Sequence, residues 1–197
     1  MKNNIAFFDF DGTITTKDTM LALARFICGS SKFYLGMAVL SPSLIGMKFS
    51  LLSKKAAKEK FLEHFFGEIP IEEFNEQCRL FTEQRLPSLL KKEALDAIHM
   101  HQASNTPIVV VSASAENWVA PWCMQNNLGC IASRLELKNK RLTGKLAGEN
   151  CNGIEKVNRI KEQFDLADFS DVYCYGDTSG DNQMLEIASH SFYRSYQ

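Results

Sequence analysis

Asp9-Phe10-Asp11-Gly12-Thr13 sets two carboxylates two residues apart at the end of a short apolar run. Alternate residues of a strand share a face, so the pair is expected to converge at the carboxyl end of a buried strand, where open α/β sheets hold their ligands. Two neighbouring anions repel, and such a pair asks for a cation or a shared proton. Gly12 lets the backbone turn sharply beside them. Further along, Ser112 closes a second apolar run and is followed by Ala113 and Ser114. A hydroxyl with free N–H groups at a helix start can cradle an oxyanion or a phosphate, or simply cap the helix. Lys156 falls on the first turn of a helix opening near Gly153, where a cation opposes the helix dipole. Phosphate binding would explain it; a solvated surface lysine is the plain alternative. Gly176-Asp177-Thr178-Ser179-Gly180-Asp181 adds two acids four residues apart on a glycine-rich turn.

The elements that must position these residues follow from hydrophobic periodicity. Residues 4–10, 106–112 and 171–176 are short continuous apolar runs, as strands buried on both faces are. Shorter strands are expected at 129–133 and 191–193, and helices at 88–103, 115–126, 153–164 and 180–189. Strands alternating with helices imply an α/β fold with a parallel sheet and right-handed crossovers. Residues 134–146 alternate around Asn139-Lys140 and read as a β-hairpin on the edge of that sheet. Some 95 residues separate the first strand from the second, far more than one crossover helix needs. Helical patterns at 21–26, 33–52, 54–66 and 71–86, punctuated by Pro42, Pro70 and Pro87, make this stretch an inserted helical subdomain. The expected division is a core of 1–16 plus 88–197 and an insertion of 17–87.

Composition narrows the function. Of 197 residues, 22 are Lys or Arg and 23 Asp or Glu, a net charge of −1, which argues against a strongly basic nucleic-acid binder. Fourteen Phe, five Tyr and two Trp exclude a disordered chain. The six cysteines, at 28, 78, 123, 130, 151 and 174, form no C-x-x-C pair and read as free thiols of a reducing compartment. Asp9 and Asp11 interrupt the first apolar run too early for a signal peptide, and the cytoplasm is the expected address.

Taken in order, Asp9-x-Asp11-Gly12-Thr13, Val111-Ser112, Lys156 and Gly176-Asp177-x-x-x-Asp181 resemble the four signatures of the haloacid dehalogenase (HAD) superfamily. The helical insertion behind the first signature resembles the C1-type cap of the phosphoserine-phosphatase-like subfamily, IB. The resemblance implies a Rossmann-like core and a Mg²⁺-dependent phosphatase that hydrolyses a phosphomonoester through an aspartyl-phosphate intermediate. Asp9 would be the nucleophile, and Asp11 the acid that protonates the leaving oxygen and then activates water. Mg²⁺ would be held by Asp9, Asp177 and the Asp11 backbone carbonyl, with Asp181 behind, orienting a metal-bound water or Lys156. Ser112, the Ala113 N–H and Lys156 would hold phosphate oxygens. The chain departs from the serine-specific members in two places. Ser112-Ala113-Ser114 replaces Ser-Gly-Gly, and Gly180 stands where those members carry Asn. Asp18 occupies the place of an acid that meets a substrate amine, and can equally cap the helix beginning near Thr19. Lys58 lies near the place of a cap arginine that meets a substrate carboxylate.

The insertion has its own character. Between Asp18 and Glu59 there is no acid, and its charges are Arg25, Lys32, Lys48, Lys54, Lys55 and Lys58. Residues 33–47 carry no charge, yet a spanning helix needs roughly 20 apolar residues. Such a segment suits peripheral contact with an anionic membrane on the cytoplasmic face, or an ordinary bundle whose apolar faces pack together. The substrate is accordingly a small phosphorylated metabolite or, as in IB members with a long apolar cap, a phospholipid head group of the phosphatidylglycerophosphate type. Two readings of other classes also stay open: a phosphorylatable receiver-like switch, and a non-catalytic membrane-surface module.

Overall fold

The computed structural model describes residues 3–48 and 53–196. Five parallel strands form the sheet: β1 (Asn3–Phe8), β2 (Ile108–Ala115), β3 (Gly129–Ser133), β6 (Phe169–Gly176) and β7 (His190–Tyr193). Their order is β3-β2-β1-β6-β7, which puts β1 in the middle. Helices α5 (Lys92–Ala103), α6 (Glu116–Gln125), α7 (Ile154–Gln163) and α8 (Asn182–Glu186) connect them. The continuous apolar run of β1 is explained by this placement, because Ile5, Ala6, Phe7 and Phe8 are all fully buried. Side chains alternate between the two faces. Ala6 and Phe8 join the cluster that holds Trp118 and Tyr175. Ile5 and Phe7 join the one that holds Ile160 and Met184. The central strand thereby fixes both layers.

Between β1 and β2 stand α1 (Thr19–Cys28), α2 (Ser30–Lys48), α3 (Lys54–Phe66) and α4 (Ile71–Gln84). The expected helix over 33–52 starts earlier, at Ser30, and runs unbroken through Pro42 to Lys48; positions 49–52 lie outside the described residues. The expected helix at 88–103 begins only at Lys92, because Pro87 opens a separate 3₁₀ turn at Leu86–Leu89. The inserted helices share one apolar cluster with the sheet. Phe66 touches Phe74 at 5.1 Å and Trp118 at 6.4 Å between ring centroids, so rings from α3, α4 and α6 interlock. Among the described residues no helix is long and apolar enough to cross a membrane. All six cysteines are free.

The hairpin forms, as β4 (Leu135–Lys138) and β5 (Arg141–Leu146), but it is a separate two-stranded sheet and not an edge of the main one. The reason is the partner its apolar side finds. Leu142 and Leu146 of β5 are buried, and Gly144 lies against α3. The main chain bonds to the α3–α4 connection: Glu68 N–H donates to Leu142 O, Leu142 N–H to Ile69 O, and Ile71 N–H to Lys140 O. Alternation in the sequence records a half-buried hairpin but not which surface buries it.

Gly144 has φ +81°, and a Cβ there would stand 2.2 Å from Glu63 Cα. Gly144→Ala should therefore push the hairpin off α3 and cost about 1–3 kcal/mol of unfolding free energy, as overpacking does, measured by urea denaturation.

Candidate active site

β1 ends at Phe8, so strand alternation does not carry through to Asp11. The chain turns at once: the N–H groups of Ile14 and Thr15 both donate to Phe10 O. As a result Asp9 and Asp11 reach the same chamber with different partners. Lys156 Nζ donates to Asp9 Oδ1 at 2.5 Å and to Asp181 Oδ1 at 2.7 Å. All three are nearly free of solvent; the Lys156 side chain is 1% exposed. Asp181 Oδ2 accepts from the Asp177 and Thr178 N–H groups and from Thr178 Oγ1, closing a capping box that folds the glycine-rich turn. Asp177 accepts from Thr13 Oγ1. Oxygens of Asp9, Asp177 and Asp181 lie within 4.8 Å of one another. This all-oxygen donor set fits a hard divalent cation such as Mg²⁺.

Asp11 has a separate support. Oδ1 accepts from the Thr19 N–H and from Thr19 Oγ1, each at 2.6 Å, and Oδ2 from Ser114 Oγ at 2.5 Å. Trp118 Nε1 in turn donates to Thr19 Oγ1. Thr19 and Trp118 were not legible as site residues, since the sequence signals only a cap before α1 and a helical aromatic; the bonds of Ser114 to Asp11 and of Trp118 to Thr19 join positions about a hundred residues apart. Lys91 is another such residue. Its Nζ bonds Gly12 O and Tyr196 O, which holds the turn from behind.

The chamber over these groups has a volume of about 750 Å³. Ala113 and Ser114 line its wall. Ser112 sits beneath them, fully buried, its Oγ accepting the Ser114 N–H; the hydroxyl shapes the loop. β2 runs on to Ala115 with a register shift after Ser112, so the strand does not end at the serine. Asp18 caps α1, accepting from the Leu21 N–H, and also lines the chamber. Lys58 reaches in from α3, and its Nζ donates to Ala113 O and to Asn150 Oδ1. Lys55 pairs with Glu149 at 2.9 Å. Neither lysine therefore belongs to a free basic surface. Met20, Leu21, Met37 and Phe61 make the far side apolar. At Gly180 a Cβ would lie 2.1 Å from Asn152 Oδ1, so the space of a side chain at 180 is filled by Asn152. Gly12 has φ +88°, and a Cβ there would lie 2.2 Å from Asp177 Oδ2.

Burial dominates the electrostatics. It pushes the Asp9 carboxyl up to about 7, against the pull of the Lys156 charge. Asp11 is raised by burial and by the Asp18 charge, while the Ser114 and Thr19 hydrogen bonds pull it back. Burial and the Asp181 charge raise Asp177. Burial would also raise Asp181, but the Lys156 charge and its hydrogen bond hold it below the usual carboxylate range. Burial works against the Lys156 charge too, and the two carboxylates more than offset it. Lys58 has no such close carboxylate pair, and burial brings it down to about 8. The arrangement can present one carboxylate as a nucleophile, a second as an acid or base, and a cation for an anionic oxygen.

Comparison with known proteins gives the family and the fold. The family model for haloacid dehalogenase-like hydrolases matches residues 6–186. Protein CicA of Caulobacter vibrioides is 34% identical over 194 residues, covering 96% of this chain and 85% of that protein. A Bordetella pertussis protein of unknown function shares the fold with a TM-score of 0.81 at 22% identity, over 97% of this chain and 89% of that one. A phosphoserine phosphatase solved as a phospho-aspartyl intermediate analogue shares it with a TM-score of 0.64 at 22% identity, over 97% and 86%.

Thr19→Val removes a donor to Asp11 and the acceptor of Trp118. It should cost about 1–3 kcal/mol in urea unfolding, the range for a buried polar group left unsatisfied. The Asp11 titration, followed by NMR of its carboxyl carbon, should move further upward.

Proposed function

The chain belongs to the haloacid dehalogenase-like hydrolases, and from that premise we propose that it is a phosphatase acting on phosphomonoesters. The observation that carries this reading is the pair of independently held carboxylates opening on one chamber: Asp9 on Lys156, Asp11 on Thr19 and Ser114. An Asp9 oxygen attacks phosphorus as the bond to the ester oxygen breaks, and Asp11 delivers its proton to that departing oxygen. A water then attacks the phosphorylated Asp9, with Asp11 taking the water's proton; inorganic phosphate leaves and both carboxyls return to their starting state. Splitting the hydrolysis this way replaces one difficult displacement with two easier ones. The raised pKa of Asp11 suits a group that must hold a proton in the first step. Lys156 and the N–H group of Ala113 would hold phosphoryl oxygens.

Three carboxylates against one lysine leave the floor of the chamber negative, which a phosphate dianion could not approach. Mg²⁺ held by Asp9, Asp177 and the Asp11 backbone carbonyl, with Asp181 behind, would supply the missing positive charge and stabilise charge at the transferring phosphoryl group. In this reading residues 17–87 act as a cap over a core of 1–16 plus 88–197, and Asp18 and Lys58 meet the leaving group. The receiver-like switch and the non-catalytic module give no role to Asp11, and we set them aside. A small phosphorylated metabolite is the favoured substrate class, with cytoplasmic work. A phospholipid head group remains the second reading, supported by the exposed Tyr34, Leu35 and Val39 along α2.

Asp9→Asn should reduce turnover of p-nitrophenyl phosphate at least about a thousandfold, a loss of roughly 4 kcal/mol of transition-state stabilisation, with the unfolding midpoint used to verify the fold. Wild-type rates in that variant would reject the mechanism. Removing divalent ions with EDTA should stop turnover and Mg²⁺ should restore it; persistent activity in metal-stripped protein would contradict the cation's part.

A further inference from the structure

A second cavity, of about 640 Å³, runs along the outer side of α1. It shares Lys17, Asp18 and Leu21 with the catalytic chamber, so the two hollows meet at the start of that helix. Phe26, Phe33 and Leu89 supply apolar walls. Three cations stand on it, Lys17, Arg25 and Arg85. None of them forms an ion pair among the described residues. Arg25 is instead aimed by neutral neighbours: its Nε donates to Ser30 Oγ, and its guanidinium lies 5.5 Å from the centre of the Tyr34 ring. Arg85 is held likewise by Ser88 Oγ. The one acid of the groove, Asp18, accepts the Leu21 N–H with one oxygen and forms no ion pair with the three cations.

Three cations with no acidic partner, two of them oriented by hydrogen bonds, form a surface complementary to an anion. The continuity with the chamber says where that anion comes from. We propose that the groove receives the distal part of the substrate, and that the substrate is a phosphomonoester whose alcohol carries a second anionic group on an apolar spacer. The phosphate sits at Asp9, the spacer passes Leu21, and the second anion meets Arg25 and Arg85. This inference rests on the phosphatase reading and goes beyond it, since that chemistry requires only the chamber. It also gives the acid-free run of the insertion a task, because an acid here would compete for the arginines.

Two non-hydrolysable probes test it: an alkyl phosphonate and an ω-carboxyalkyl phosphonate of equal length, compared over increasing lengths by calorimetry with Mg²⁺ present. At the best length the carboxylated probe should bind about tenfold more tightly at low salt, what two partly exposed charge contacts give, and the advantage should shrink as salt rises. In the Arg25→Gln/Arg85→Gln protein the two affinities should come within about twofold of each other. Arg25→Lys/Arg85→Lys should recover part of the difference, which separates charge from packing. Equal affinities in the wild type, or an advantage that survives the glutamine substitutions, would overturn the groove's role while leaving the phosphatase reading intact. An advantage seen only with probes embedded in vesicles would overturn it as well, in favour of attraction to a bilayer. If neither phosphonate binds at all, the phosphatase reading fails and this inference falls with it.

Discussion

Much of the site depends on a single buried charge. Lys156 has almost no contact with water, and ions of its kind cost several kcal/mol to bury unless they are paired closely. Two carboxylates provide that pairing, from the ends of two adjacent strands. To bring Asp181 close enough, the glycine-rich turn folds into a capping box, and Gly153 N–H at the start of α7 bonds Gly180 O. Lys156 therefore fixes the relation of α7 to β1 and β6. It also decides the charge of the chamber floor, since it neutralises only part of what Asp9, Asp177 and Asp181 bring together.

Around that floor, polar order and apolar packing are joined. Trp118 packs with Phe66 and Phe74 and donates its indole N–H to Thr19, which holds Asp11. The same side chain thus docks the inserted helices on the core and orients the second carboxylate. This explains why the cluster of Trp118 spans both parts of the molecule.

What the sequence made legible follows the range of the interactions. The motifs around Asp9, Ser112, Lys156 and Asp177 stand at ends of strands and helices, where patterns of a few residues locate them. The parallel sheet and the inserted helices were legible for the same reason. The hairpin was recognised as a hairpin but misplaced, because its docking on α3 is a tertiary contact that alternation does not encode. Ser112 was read as a chamber hydroxyl, whereas the register shift after it brings Ser114 to that wall. In sequence Lys58 is marked only by its place near that of a cap arginine. The fold adds its bonds to Ala113 and Asn150 across the chamber.

The hairpin has a mechanical consequence. Its two strands belong to the chain segment between β3 and α7, yet they are tied by main-chain bonds to the α3–α4 connection, and Leu146 N–H also bonds Glu59 of α3. The inserted helices consequently have no free rim on that side. The hairpin thus joins α3 to residues 147–153, the short run that leads into the helix of Lys156. The chamber wall beside Lys58 and the seat of Lys156 below it are connected through one stretch of backbone.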